Sequence, residues 1–263
     1  MKTEPAYLEV ALHAVDQAQN LLLEYGGKAT VTQTKVSTDM KHQGSPVTAA
    51  DVAAEILLRR TIRDSFPTHT IIWEEQWADR CNSPYRRYLD PIDGTREFVR
   101  GTDDRGILVS LFYETTPLVS VSCMPALWET LYATAGGGAR RNWNRLHVSH
   151  TADIGEAYIA HERHKYFERD KQLDQFMALC SAVDYYKTKK IRDFHYLAQG
   201  NIDAVVGAKT HMYDIAPFVL LTQEAWGTVT TLGGAALHGD YTDYCFSNGH
   251  IHHQLLWFFS SPI

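Results

Sequence analysis

Leu89-Asp90-Pro91-Ile92-Asp93-Gly94-Thr95-Arg96-Glu97-Phe98-Val99-Arg100 is the stretch around which this chain organises itself. Asp90 and Asp93 stand three residues apart, with Pro91 between them and Gly94 and Thr95 directly after. Pro91 pushes its predecessor into extended backbone and has no N–H to give, so the strand over residues 86–89 is predicted to end at Asp90. Gly94 allows a tight turn, and Thr95 can open a short helix that closes near Gly101. Two carboxylates, the carbonyl of Ile92 and the N–H groups of a helix start would then converge. Oxygen ligands of this kind suit Mg²⁺, and helix-terminal N–H groups suit a phosphate.

Outward from this stretch the chain reads as alternating elements. Leu8, Ala11, Leu12, Val15, Ala18 and Leu22 recur at helical spacing over residues 7–25, and Gly26-Gly27 closes the helix. Thr48 can cap a second helix with Asp51 in its first turn and an apolar face that includes Val52, Ile56 and Leu57; Pro67 ends it. Residues 70–73 and 86–89 read as short strands that each deliver acidic residues at their C-terminal ends. Residues 107–113, 118–123 and 129–133 follow at meander spacing, which predicts a largely antiparallel sheet. Gly136-Gly137-Gly138 then reads as a hinge or turn, because it follows a hairpin and no helix signature succeeds it. The domain boundary is placed there. Residues 1–141 form an N-terminal α+β domain with most candidate ligands, and residues 142–263 a C-terminal α/β domain. In the latter, helices are predicted over 170–182 and 194–199, from Ile215, and toward Phe258, with strands at 204–206 and 228–232.

Bulk properties exclude several function classes. With 263 residues, 44% hydrophobic and 21% charged, the chain is long enough for a sizeable core. A formal net charge of −6 argues against a nucleic-acid partner. Cys81, Cys123, Cys180 and Cys245 lie far apart and lack zinc-type spacing, which fits reduced thiols in a cytoplasm. The N-terminal residues have no apolar h-region, and no window approaches the ~18 apolar residues of a membrane span. His161 with His164, and His250 with His252 and His253, lack a third set that would complete a zinc pattern.

Three further pieces stand in order with the first: Ser45-Pro46-Val47-Thr48-Ala49-Ala50-Asp51, Glu74-Glu75, and Tyr213-Asp214-Ile215-Ala216-Pro217 leading to Glu224-Ala225. Singly, each has a plain structural use as a turn, a solvated loop or a helix cap. Jointly, they resemble the inositol monophosphatase superfamily of metal-dependent, lithium-sensitive phosphomonoesterases, whose signature is Asp-Pro-Ile-Asp-Gly-Thr. Phe98-Val99-Arg100-Gly101, Pro125-Ala126-Leu127 and Ile215-Ala216-Pro217 are most similar to its bacterial histidinol-phosphatase-like branch.

The resemblance implies an α/β fold, a layered α-β-α-β-α sandwich with an antiparallel sheet in the N-terminal half and a mixed sheet in the C-terminal half. It implies two or three Mg²⁺ ions, one held by Glu74, Asp90 and the Ile92 carbonyl, another by Asp90, Asp93 and Asp214. So many carboxylates in a small volume repel one another unless cations are present. Thr95, hydrogen-bonded to Asp51 and with Glu74 close by, would help activate the attacking water; Glu75 would support from behind. The amides of Gly94 and Thr95 would bind phosphate oxygens. The implied activity is Mg²⁺-dependent hydrolysis of a small phosphorylated metabolite, of the histidinol phosphate or inositol monophosphate type, by a cytoplasmic homodimer with no nucleic-acid or membrane partner. Alternatives are a 3′(2′),5′-bisphosphate nucleotidase, to which Arg96-Glu97-Phe98 and Lys209 are similar, or a catalytically silent metal-binding relative.

Two positions depart from the family pattern. Trp73 stands where a glycine usually precedes the glutamate pair, and Trp226 where one follows Glu224-Ala225. If Trp73 required positive φ, the loop bearing Glu74 would be strained. On the substrate side, family members usually carry an acid seven residues before the aspartate matching Asp214; here that position is Gly207, followed by Lys209.

Overall fold

The chain divides between Ala135 and Gly136 into two units, Met1–Ala135 and Gly136–Ile263. The computed structural model describes residues 4–25, 31–34, 46–73, 83–169, 172–239 and 241–260.

In the first unit the order is α1 (Pro5–Tyr25), β1 (Val31–Thr34), β2 (Pro46–Thr48), α2 (Ala49–Ser65), β3 (Thr70–Trp73), β4 (Tyr85–Asp93), α3 (Thr95–Arg100), β5 (Gly106–Tyr113), β6 (Thr116–Met124) and β7 (Glu129–Thr134). The strands β4, β5, β6 and β7 form an antiparallel meander, and β3 joins its edge parallel to β4. Helices α1 and α2 pack on each other and on this sheet, burying Ala11, Ala14, Val15 and Ala18 of one and Ala50, Ala54, Leu58 and Ile62 of the other. The apolar face expected for α2 is corrected: Val52 and Ile56 are exposed. The buried stripe recurs at every fourth residue instead, and its small alanines give a weak signal beside the larger exposed side chains. The end expected for β4 is corrected too, since the strand runs through Pro91 to Asp93.

In the second unit, β8 (Gly138–Arg141) pairs with β9 (Asn144–Arg145). There follow β10 (Tyr158–His161), α4 (His164–Arg169), α5 (Leu173–Ala182), β11 (Tyr185–Thr188), α6 (Ile191–Ala198), β12 (Ala204–His211), α7 (Met212–Glu224), β13 (Thr228–Thr230), β14 (Tyr241–Ser247) and α8 (His252–Ser260). The sheet order is β11-β10-β12-β14-β13, the first three parallel and β14 antiparallel to both its neighbours. This is the α/β alternation expected, with a mixed sheet. Residues 170–171 of the helix predicted over 170–182 lie outside the described residues, and the helix itself begins at Leu173. In α7, Pro217 is the sixth residue, so it leaves the carbonyl of Tyr213 without its helical N–H.

Among the described residues, no helix is long and apolar enough to cross a membrane. Cys123, Cys180 and Cys245 are free and buried; Cys81 lies outside the described residues.

Two buried histidines set a pH limit on stability, one in each unit. His69 is stacked between Phe66 and Tyr85, with ring centroids 4.9 and 4.7 Å away, and its Nδ1 accepts from Nε of the fully buried Arg87 at 3.2 Å. Burial first, and then the Arg87 charge, push its pKa down to about 4. His252 meets Ser247 Oγ at 2.8 Å and Thr230 Oγ1 at 3.0 Å, and burial, then His253, lower its pKa to about 4 as well. In the unfolded chain both rings protonate near 6.5, so the unfolded state binds protons that the folded state refuses between these values. Their contribution is complete above pH 6.5 and is lost as pH falls toward 4. The urea midpoint is therefore expected to fall over this window, and His252→Gln to flatten the fall; a midpoint constant from pH 7 to pH 4.5 would refute it.

Candidate active site

Two residues three apart on a regular strand point to opposite faces of the sheet. Asp90 and Asp93 do not, because β4 contains a bulge between them: Asp90 stands opposite Leu108 and Asp93 opposite Gly106, so three steps on one strand match two on the other. One extra residue reverses the parity and puts both carboxylates on the same face. A proline is tolerated there because a bulge leaves one residue out of the ladder. The Ile92 N–H donates to Asp90 Oδ1 at 3.0 Å, which fixes that carboxylate over the bulge. Asp90 is only 1% exposed, and Asp93 is half-buried.

Directly after the bulge, Gly94 turns the chain with φ of 86° and ψ of 43° and caps α3. A Cβ there would sit 2.6 Å from the carbonyl oxygen of Asp104. The first helical bond of α3 runs from the Phe98 N–H to the Gly94 carbonyl at 2.8 Å, and the Phe98 ring is fully buried. Gly101, with φ of 71°, closes the helix.

Asp51 reaches the same place from α2. Thr48 and Asp51 form a capping box. Asp51 Oδ2 accepts from the Thr48 N–H at 2.7 Å and the Thr48 hydroxyl at 2.6 Å, while Oδ1 faces the Thr95 hydroxyl at 3.3 Å. The Thr95 hydroxyl also lies 3.2 Å from the Ile92 carbonyl oxygen. Asp51, Thr95 and Ile92 are thereby tied together across 44 residues of sequence, and all three are buried. A carbonyl oxygen has two lone pairs, so this contact leaves Ile92 able to serve a cation as well.

In the second unit Asp214 occupies the first turn of α7, where a carboxylate complements the helix dipole. It acts electrostatically on two phenols, Tyr166 and Tyr244, whose pKa values are raised chiefly by burial, with Glu162 and Asp214 adding in the same direction. Gly207 lies on β12 opposite Tyr244. Lys209 sits in a bulge of β12 with φ of 55°, and its Nζ approaches the Arg169 carbonyl at 3.4 Å. At the far end of α7, Glu224 accepts from the Gly136 and Gly138 N–H groups at 2.6 and 2.7 Å. This anchoring of the glycine turn is a use for the Glu224-Ala225 motif that spacing alone does not reveal.

Glu74 and Glu75 lie outside the described residues. Trp73, which precedes them, does not have positive φ, so the strain considered for that position is absent there. Its ring is buried beneath the Arg59 guanidinium, 3.9 Å from the ring centroid, and Arg59 is paired with Glu55 at 3.2 Å. Trp226 is different: it has φ of 74°, is 68% exposed, and lies against His147 at 4.5 Å. Left-handed backbone at a residue with a side chain costs roughly 1–2 kcal/mol, which a glycine at that position would avoid.

Among the described residues, no group of three or more His, Cys, Asp or Glu side chains gathers to hold a metal ion. The donors that the bulged strand does present, the Asp90 and Asp93 carboxylates and the Ile92 carbonyl, are all hard oxygens. That set fits Mg²⁺ and suits neither zinc nor a soft metal.

Known proteins resemble this chain in sequence and in fold. The profile described as the inositol monophosphatase family matches residues 5–257. A histidinol-phosphatase of Streptomyces coelicolor is 29% identical over 253 residues, covering 90% of this chain and 93% of its own. Among solved structures, an IMPase of Thermotoga maritima superposes with a TM-score of 0.82 at 25% identity, covering 95% of each chain. An IMPase/NADP phosphatase solved with Mg²⁺ and phosphate superposes with a TM-score of 0.82 at 23% identity, covering 97% of this chain and 95% of that one.

Proposed function

The chain belongs to the inositol monophosphatase family, and from that premise we propose that it is a Mg²⁺-dependent phosphomonoesterase acting on a small phosphorylated alcohol. Its nature as a phosphoric monoester hydrolase follows from the family and from relatives named as phosphatases. The metal and the substrate class are our reading. What carries it is the hydrogen-bonded set Asp51, Thr95 and Ile92 beside two carboxylates that a bulge turns to one face.

Bound Mg²⁺ would polarise the phosphate and a water molecule. Asp90, Asp93 and the Ile92 carbonyl would hold it, with Asp214 and Glu74 as the remaining ligands and Glu75 behind them. The Thr95 hydroxyl directs its proton to Asp51, so its oxygen is left to accept one from the attacking water. The water oxygen bonds to phosphorus as the ester oxygen leaves and takes up a proton, which gives alcohol and inorganic phosphate. The Gly94 and Thr95 amides at the start of α3 would hold phosphate oxygens throughout.

Hydrolysis of an aryl phosphate, followed with Mg²⁺ and then with a chelator, tests the reading. Thr95→Val is expected to lower kcat by about 10²–10³-fold, and Thr95→Ser to recover most of it. Hydrolysis indifferent to the chelator, or Thr95→Val at wild-type rate, would overturn the assignment.

A further inference from the structure

On sequence spacing His250 belongs with His252 and His253, but the fold of the second unit separates them. His252 is buried and turned inward, with Ser247 Oγ 2.8 Å from its Nδ1 and Thr230 Oγ1 3.0 Å from its Nε2. Both its ring nitrogens are thereby engaged. His250 meets His150 instead, from the segment between β9 and β10, with ring centroids 5.7 Å apart and planes tilted by 56°. Both residues are exposed, and neither ring takes part in a hydrogen bond with a described residue.

One buried side chain holds the two segments together. Asn248 donates from Nδ2 to Ser149 Oγ and to the Thr151 carbonyl, both at 2.9 Å, and so grips the chain on either side of His150. Its Oδ1 accepts from the Ile251 N–H at 3.2 Å, and Gly249, with φ of 84°, turns the backbone between Asn248 and His250. Ser149 Oγ in turn donates to the Asp203 carboxylate, and the Asp203 carbonyl accepts from the Asn248 N–H at 2.9 Å. The backbone under both histidines is fixed by these bonds. The spacing of the two rings is therefore built into the fold.

We propose that His150 and His250 form a two-histidine surface site for a borderline divalent cation, Zn²⁺ or Cu²⁺. Neutral imidazole is a good ligand for these ions, whereas Mg²⁺ takes hard oxygen donors, so the site differs in kind from the one the bulged strand β4 presents. Two imidazoles bound through nitrogen at about 2.0–2.1 Å to one ion have ring centres roughly 5–6 Å apart. The observed spacing is 5.7 Å. A tilt of 56° is neither parallel nor edge-on, so attraction between the rings alone does not account for the arrangement. Among the described residues no third His, Cys, Asp or Glu joins them, so water completes the coordination and the ion exchanges with solvent. An ion held there ties the segment after β9 to the segment before α8. It stabilises the folded chain, because the unfolded chain holds these histidines apart.

The test titrates Cu²⁺ into the full chain near neutral pH, with Mg²⁺ in excess to occupy the oxygen donors, and follows the electron paramagnetic resonance of the bound ion. Its spectrum is expected to show coupling to two nitrogens, and Zn²⁺ under the same conditions to raise the melting temperature. His150→Gln and His250→Gln should each weaken Cu²⁺ binding roughly tenfold or more and remove the rise given by Zn²⁺. Both positions are exposed, so neither substitution disturbs packing. His253→Gln, exposed beside them in sequence, should change neither result. Coupling to a single nitrogen, no rise with Zn²⁺ in the wild type, or an affinity unchanged within twofold in either variant would overturn the proposal. So would a loss shared equally by His253→Gln, which is what scattered coordination by the chain's 13 histidines would give.

Discussion

Asp90→Asn should abolish hydrolysis while leaving the fold intact. The asparagine keeps the oxygen that accepts the Ile92 N–H at 3.0 Å, so the bulge retains its local bond. What is lost is the charge that faces the proposed ions, and by resemblance Asp90 serves two of them. Removing one full ligand charge from a metal that stabilises the transition state by several kcal/mol is expected to lower kcat/KM by on the order of 10³-fold or more. The Mg²⁺ concentration for half-activation should rise in parallel. Steady-state kinetics across a Mg²⁺ titration, with a melting curve on the same sample, separates loss of chemistry from loss of structure. Activity within tenfold of wild type at saturating Mg²⁺ would remove Asp90 from the ligand set.

Gly94→Ala is expected to act the other way round, on structure first and on activity as a result. The new Cβ would meet the Asp104 carbonyl oxygen at 2.6 Å, a backbone atom that cannot rotate away, and would sit on backbone with φ of 86°. The conformational penalty is about 1–2 kcal/mol and the overpacking about 1–3 kcal/mol. For a chain of this size the melting temperature should drop roughly 5–15 °C. Any relief must shift either the segment bearing Asp104 and Arg105 or the start of α3, and the second displaces Thr95 from Asp51. Rates should therefore fall even well below the melting point. A melting temperature within 2 °C of wild type would show that the turn has room the structure does not reveal.

Much of the first unit was legible because its punctuation is chemical. Proline, glycine and threonine at 91, 94 and 95 dictate backbone states that few surroundings override, and α3 begins and ends where they place it. The meander over β5, β6 and β7 follows from alternation bounded by turn residues. What could not be read was set by pairing. The bulge that continues β4 through Pro91 depends on register against β5, and register is a property of two strands. The buried stripe of α2 is hard to read because alanines at 50 and 54 carry little hydrophobic weight, although both are fully buried. Trp73 looked like a strained replacement for glycine, yet it has no positive φ and carries Arg59 over its ring; Trp226 kept the left-handed backbone instead. In the second unit Tyr244 gave no sign at all. It lies 37 positions beyond Gly207, and only antiparallel pairing brings the two together.

The extra residue in β4 also makes this strand sensitive to insertion and deletion. Removing either Pro91 or Ile92 would restore strict alternation downstream and turn Asp93 toward the opposite layer, while the residues before Asp90 stayed as they are. For this site the number of residues between Asp90 and Asp93 matters as much as the two carboxylates themselves.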